Sequence, residues 1–276
     1  MAFIDFILQA KQLKRHLDET PESIRLIDAS WTIPGSKDTS EQLFIQGACF
    51  YDLDEIATPH TTLKHMLSTR EQFEAFNCQH GIRNTDHVVC YDRTGVFSSP
   101  RLWWTYRMFG HQKVSVLNGA PISWTSSDLP LSKSYQKTFS PTDFVAGPPL
   151  SGVIGKNELI ALIGSDNQIV DARSSARFYG KAPEPRPGLR SGHMPGAISI
   201  PYEELRDENG IRDLHWIGKR VKMAGVSLDQ PIITTCGSGI TAAGLALIFH
   251  QLGAKSVRVY DGSWAEWGAG DAPIEI

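Results

Sequence analysis

Two stretches of this chain repeat each other at a fixed offset, and that constrains the fold more than any other feature. Leu26-Ile27-Asp28-Ala29 returns as Ile169-Val170-Asp171-Ala172. Gly110, Gly119 and Trp124 return as Gly253, Gly262 and Trp267, again 143 positions on (110 to 253, 119 to 262, 124 to 267). Gly47-Ala48 also resembles Gly196-Ala197, after a slightly longer insertion in the second copy. Each copy reads as apolar strand, polar loop, amphipathic helix and a second apolar strand. In the later copy PIITT is a short β-rich run, ITAAGLALIFHQL has helical spacing up to Gly253, and SVRVY resumes strand character. A strand–helix–strand unit requires parallel strands and a helix-covered sheet. The expected fold is therefore α/β, with two tandem domains, each a parallel sheet flanked by helices. The boundaries predicted are 1–130 for the first domain, 131–155 for a Ser/Pro/Gly-rich linker and 156–276 for the second.

A length of 276 residues suits two modest domains. Hydrophobic residues at 41% supply cores for both, and the formal net charge of -3 argues against a nucleic-acid surface or a basic membrane-docking patch. No apolar run is long enough to span a bilayer. The opening MAFIDFILQAKQLKRHLDET places its charges after its apolar residues, so it reads as an amphipathic first helix rather than a signal peptide. The four cysteines, Cys49, Cys78, Cys90 and Cys236, lie far apart, with no CxxC pair and no His/Cys group at metal-ligand spacing. Neither a disulfide framework, a zinc site nor another cofactor is expected, and the reading is a reduced cytoplasmic protein.

The copies differ where chemistry would sit. Asp92 occupies the place of Cys236. The second copy then runs Cys236-Gly237-Ser238-Gly239-Ile240-Thr241, from a strand end straight into a helix start. Two glycines allow a tight turn with successive N–H groups facing inward, and such a nest at a helix N-terminus favours a thiolate. Cys90, within an apolar strand, reads as an inert core thiol, as do Cys49 and Cys78, which lack activating neighbours in sequence. A cysteine phosphatase uses a comparable loop but needs an arginine six residues after the cysteine, where this chain has Ala242.

These features, with the DxR-type strand at Asp171, the segment Gly192-His193-Met194-Pro195-Gly196-Ala197, and the stretches Phe97–Gly110, Lys64–Ser68, Glu184–His193 and Tyr260–Gly268, resemble the rhodanese superfamily over nearly the whole chain. The resemblance implies sulfur transfer through a Cys236 persulfide, with an aspartate-bearing, cysteine-less first domain. The loop CGSGIT is similar to that of members using 3-mercaptopyruvate; members using thiosulfate usually carry basic residues just after the cysteine. Carried over residue by residue, the family assigns Arg177 and Arg186 to the substrate, with Arg190 a weaker candidate. The loop residues Gly237, Gly239, Ile240 and Thr241 would cradle the sulfur. A Ser–His–Asp relay would comprise Ser238, His65 and Asp54, so both halves would contribute to one site. His193 reads as a turn and packing residue. The family suggests an acceptor thiol, with thioredoxin as one such partner. Two other readings stay open: a thiosulfate-using enzyme, and a non-catalytic module that binds a partner or senses oxidants through Cys236.

Overall fold

The computed structural model describes residues 5–32, 43–59, 61–207 and 209–276. These form two compact units. Unit 1 comprises Met1–Pro59, Ser68–Pro149 and Glu208–Ile211, and unit 2 comprises His60–Leu67, Leu150–Asp207 and Arg212–Ile276.

Each unit is built on a five-stranded sheet whose neighbours are all parallel. In unit 1 the order is Ile7–Leu8, Val114–Leu117, His87–Tyr91, Ile24–Asp28, Cys49–Phe50. In unit 2 it is Val153–Ile154, Val257–Tyr260, Ile232–Thr235, Gln168–Asp171, Ile198–Ser199. The same order in both units is what a duplicated strand–helix–strand pattern predicts. Strands buried on both faces by helices read as unbroken apolar runs, and VVCY and IITT are of that kind.

The repeat anchors turn out to be core residues. Trp124 meets the Tyr91 ring edge to face at 5.0 Å, and Trp267 meets Tyr260 in the same way at 6.1 Å. Around them pack Leu8, Leu13, Leu26 and Val89 in unit 1, and Ile154, Leu159, Ile169 and Ile233 in unit 2. In each unit the central strand leads through a short loop into a long buried helix, Ser99–Met108 or Ile240–Gln251. The second carries no polar face, because nearly every residue from Ile240 to Phe249 is buried. The opening stretch yields strand Ile7–Leu8 and then helix Ala10–Glu19, with residues 1–4 outside the described residues. Within the stretch 131–155, Leu131–Ser132 pairs antiparallel with Phe44–Ile45, and Val153–Ile154 forms the edge of the second sheet.

Candidate active site

The loop after strand Ile232–Thr235 begins with Cys236, directly beyond the Thr235–Asp171 register pair. Its turn depends on Gly239, whose φ of +87° is readily available only to glycine and which caps helix Ile240–Gln251. That turn brings the Gly239 N–H to 3.1 Å from Cys236 Sγ. The Cys236 N–H donates to Ser263 Oγ at 3.3 Å, and that hydroxyl also lies 3.9 Å from the sulfur. Below the loop, Trp264 and Ala265 donate their N–H groups to the carbonyls of Cys236 and Gly237.

Burial alone does not distinguish Cys236, which is 2% exposed, from Cys49 and Cys90. Its surroundings do. Burial pushes the Cys49 thiol up to about 12 and raises Cys90 well above the ordinary thiol range. Cys78 contacts the Phe144 carbonyl at 3.5 Å.

Both family arginines converge on Gly237. The Arg177 guanidinium packs so closely on it that a Cβ there would lie 3.1 Å from Nη2. Arg186 Nη1 donates to the Gly237 carbonyl at 3.4 Å. Ser238 faces the imidazole of His65, with Nδ1 and Oγ 3.1 Å apart. His65 belongs to the first half of the sequence, yet its segment groups with unit 2. Asp54 lies in unit 1, where it accepts the Trp31 Nε1–H at 3.0 Å. Arg190 is engaged elsewhere, clamping the carbonyls of Trp267, Gly268 and Ala272. His193 stacks on Phe178 at 3.9 Å with Nδ1 at the Phe178 carbonyl, as a packing residue does.

Sequence reasoning missed the carboxylate that aims Arg177. Glu184, 1% exposed at its side chain, joins Arg177 (2.6 Å) to the fully buried Arg173 (2.8 Å). Arg173 in turn binds Asp171 at 2.7 Å, donates to the Gly192 carbonyl and stacks over Trp264 at 3.9 Å. Glu184 lies next to the recognised Arg186, but nothing in its local pattern announces a buried bridge. Ser263 was legible in principle, because its counterpart in the first copy is Ala120.

The first copy shows what the same loop does without a cysteine. Asp92 Oδ2 accepts the N–H groups of Phe97, Ser98 and Ser99 and the Ser99 hydroxyl at 2.6–3.0 Å. Its Oδ1 accepts the Thr94 N–H and hydroxyl at 3.0 and 2.8 Å. A loop of inward donors favours an anion, and here the chain supplies one as the Asp92 side-chain carboxylate.

Comparison with known proteins decides the family. The Rhodanese-like domain matches twice, at residues 9–127 and 156–269. The chain belongs to the rhodanese family. Among relatives of this two-rhodanese chain, the 3-mercaptopyruvate sulfurtransferase of Escherichia coli K12 is 39% identical over 96% of each chain. The mitochondrial thiosulfate/3-mercaptopyruvate sulfurtransferase 1 of Arabidopsis thaliana is 39% identical over 94% of this chain and 76% of that one. The crystal structure of SseA from Escherichia coli, a 3-mercaptopyruvate sulfotransferase of the rhodanese fold, superimposes with a TM-score of 0.82 at 33% identity, covering 94% of this chain and 98% of that one. Among the described residues no helix is long and apolar enough to cross a membrane.

Proposed function

We propose that this chain moves sulfur from 3-mercaptopyruvate to a thiol acceptor through a persulfide on Cys236. The observation that carries the reading is the convergence on one loop of a sulfur held by the Gly239 N–H and two arginines at Gly237, with no cation in the loop itself. A planar guanidinium suits a carboxylate, and Arg177 and Arg186 bind that of the donor, leaving its sulfur to the uncharged loop. Cys236 thiolate attacks the donor sulfur, and the carbon–sulfur bond breaks with its electron pair leaving on carbon as pyruvate enolate. The outer sulfur stays on Cys236. The proton from the donor thiol passes through Ser238 and His65 and ends on the pyruvate methyl carbon, so the step needs no other reactant. The N–H groups of Gly237, Gly239, Ile240 and Thr241 hold the outer sulfur. A second thiol, thioredoxin among the candidates, then collects that sulfur. Four free thiols suit a reducing compartment, and we place the protein in the cytoplasm.

The test is intact-mass analysis after mixing with 3-mercaptopyruvate, followed by peptide mapping and pyruvate assay. One added sulfur on the Cys236 peptide, with pyruvate released in equal amount, is the expected result. Sulfur elsewhere, or none, overturns the assignment. Steady-state kinetics at matched ionic strength set the donor. Mercaptopyruvate is expected to win by about an order of magnitude in kcat/KM, because the two planar guanidinium groups at Gly237 match a carboxylate, while Gly237 and Ser238 add no further cation for the second charge of thiosulfate. A preference for thiosulfate sinks the donor assignment and leaves the sulfur-transfer reading standing.

A further inference from the structure

Two short arms change sides in this chain. His60–Leu67 belongs to the first half of the sequence but groups with unit 2, and Glu208–Ile211 belongs to the second half but groups with unit 1. Both arms are tied by the same device. The Leu67 N–H donates to Asp261 Oδ2 at 2.7 Å, and the Ile211 N–H donates to Asn118 Oδ1 at 2.8 Å. Asp261 and Asn118 are the same position of the repeat, each following the last residue of a strand (Val257–Tyr260 or Val114–Leu117) and preceding a repeat glycine. A side-chain oxygen at one sheet position thus captures a backbone N–H from the other half, twice.

In unit 2 the captured arm carries His65, two residues before Leu67. Its φ of +62° lies in the left-handed region that non-glycine residues avoid, so the local chain does not by itself favour the conformation. Yet His65 is buried, and its Nδ1 sits 3.1 Å from Ser238 Oγ. Something beyond the arm must hold it there. Asp261, itself buried, supplies an anchor two residues on at the Leu67 N–H, and its own backbone leads directly into Gly262 and Ser263 beneath the Cys236 loop. We propose that Asp261 is a positioning residue for sulfur transfer, holding the His65 imidazole against Ser238 through the Leu67 amide. The proposal rests on the role given above to the His65–Ser238 pair.

The experiment combines amide hydrogen exchange over residues 61–67 with steady-state kinetics on 3-mercaptopyruvate. The variants are Asp261→Ala, Asp261→Asn, His65→Ala and the His65→Ala/Asp261→Ala pair. Asp261→Ala is expected to speed exchange at Leu67 and to lower kcat about tenfold or more, with KM little changed because Arg177 and Arg186 are untouched. Asp261→Asn, offering the oxygen that Asn118 uses in the other copy, is expected to keep most of the rate. Removing Asp261 from an enzyme already lacking His65 should cost nothing further, since the two act as one. Should Asp261→Ala not fold, Leu67→Pro deletes the donor instead and is expected to show the same kcat loss.

Losses that multiply in the double variant would overturn the proposal, because Asp261 would then act elsewhere. So would parent-like exchange at Leu67 in Asp261→Ala. A His65→Ala enzyme at full rate would remove the reading beneath the proposal, and the exchange data tell that failure from a failure of the anchor.

Discussion

Glu184→Ala tests whether the arginine at Gly237 is held from behind. Arg173, Arg177, Asp171 and Glu184 make a cluster of two cations and two anions, and three of the four side chains are at most 1% exposed. Deleting the Glu184 carboxylate leaves the cluster with one excess positive charge. Arg177 is 24% exposed at its side chain and can turn towards water, but Arg173 is fully buried and cannot. Arg173 keeps Asp171 and the Gly192 carbonyl and loses its 2.8 Å partner at Nη1. Breaking one side of a buried ion pair costs about 3–5 kcal/mol, and the retained Asp171 puts the expectation at the lower end. Glu184→Gln keeps the shape and one acceptor for Arg173 but turns an amide donor on Arg177, so about 1.5–3 kcal/mol is expected, the worth of one charge-assisted bond. Urea unfolding followed by tryptophan fluorescence reads the loss, with Trp264 stacked on Arg173 as a local reporter. The freed Arg177 should raise KM for the donor more than it lowers kcat. Stability within about 1 kcal/mol of the parent for Glu184→Ala, together with an unchanged KM, refutes the reasoning.

Cys236→Ser is expected to abolish sulfur loading and leave the unfolding midpoint near that of the parent, since the change is small; substantial turnover by the serine variant would end the persulfide mechanism. Asp92→Asn should destabilise unit 1 by about 3 kcal/mol, because one amide end faces the two donors of Thr94 and the carboxylate charge is lost, while sulfur loading at Cys236 stays intact. Loading that falls in proportion to stability would contradict that separation. Burial pushes the Asp28 carboxyl up to about 6, against bonds from Ser30 and Tyr135 and the Arg93 guanidinium at 3.6 Å, so between about pH 4 and 6 the native state holds the extra proton and stability falls as pH rises, by roughly 3 kcal/mol. Burial, aided by the charges of His16, His111 and Lys113, brings the His87 imidazole down to about 4, which does the reverse: the unfolded chain holds the proton, and stability rises with pH over about 4 to 6.5. Removing the Asp28 titration should therefore make Asp28→Asn gain stability relative to the parent as pH rises from about 4 to 6; a difference in urea midpoint that is the same at every pH would refute this.

The architecture was legible because it is written twice. Equal spacing of glycines and tryptophans marked two copies of one unit, and the parallel sheet follows from strand–helix–strand order. Cys236 was legible for the same reason, as the place where the copies part. Arg177 and Arg186 came from motifs rather than from any physical pattern, and the structure puts both at Gly237 while sending Arg190 to carbonyls of the C-terminal loop. The Arg173–Glu184 bridge was not legible, because a buried ion pair between loop residues leaves no periodicity and depends on both segments having already packed. The pairing of His65 with Ser238 came from the family motif, whereas the Leu67–Asp261 bond that also ties this arm to unit 2 was hidden, because contiguity in sequence assigns a short arm to its own half.

That exchange of arms sets where this polypeptide can be divided. Cleavage between Pro149 and Leu150 would follow the main boundary between the compact units, and under the proposed mechanism it would separate His65 from the Cys236 loop. The piece from 150 onward would contain Cys236, Ser238, Arg177 and Arg186 but lack His65, and the piece up to 149 would lose Ile211, whose N–H Asn118 accepts. Because Asp261 holds Leu67 and Asn118 holds Ile211, a change in either arm bears on a sheet position encoded in the opposite half of the sequence.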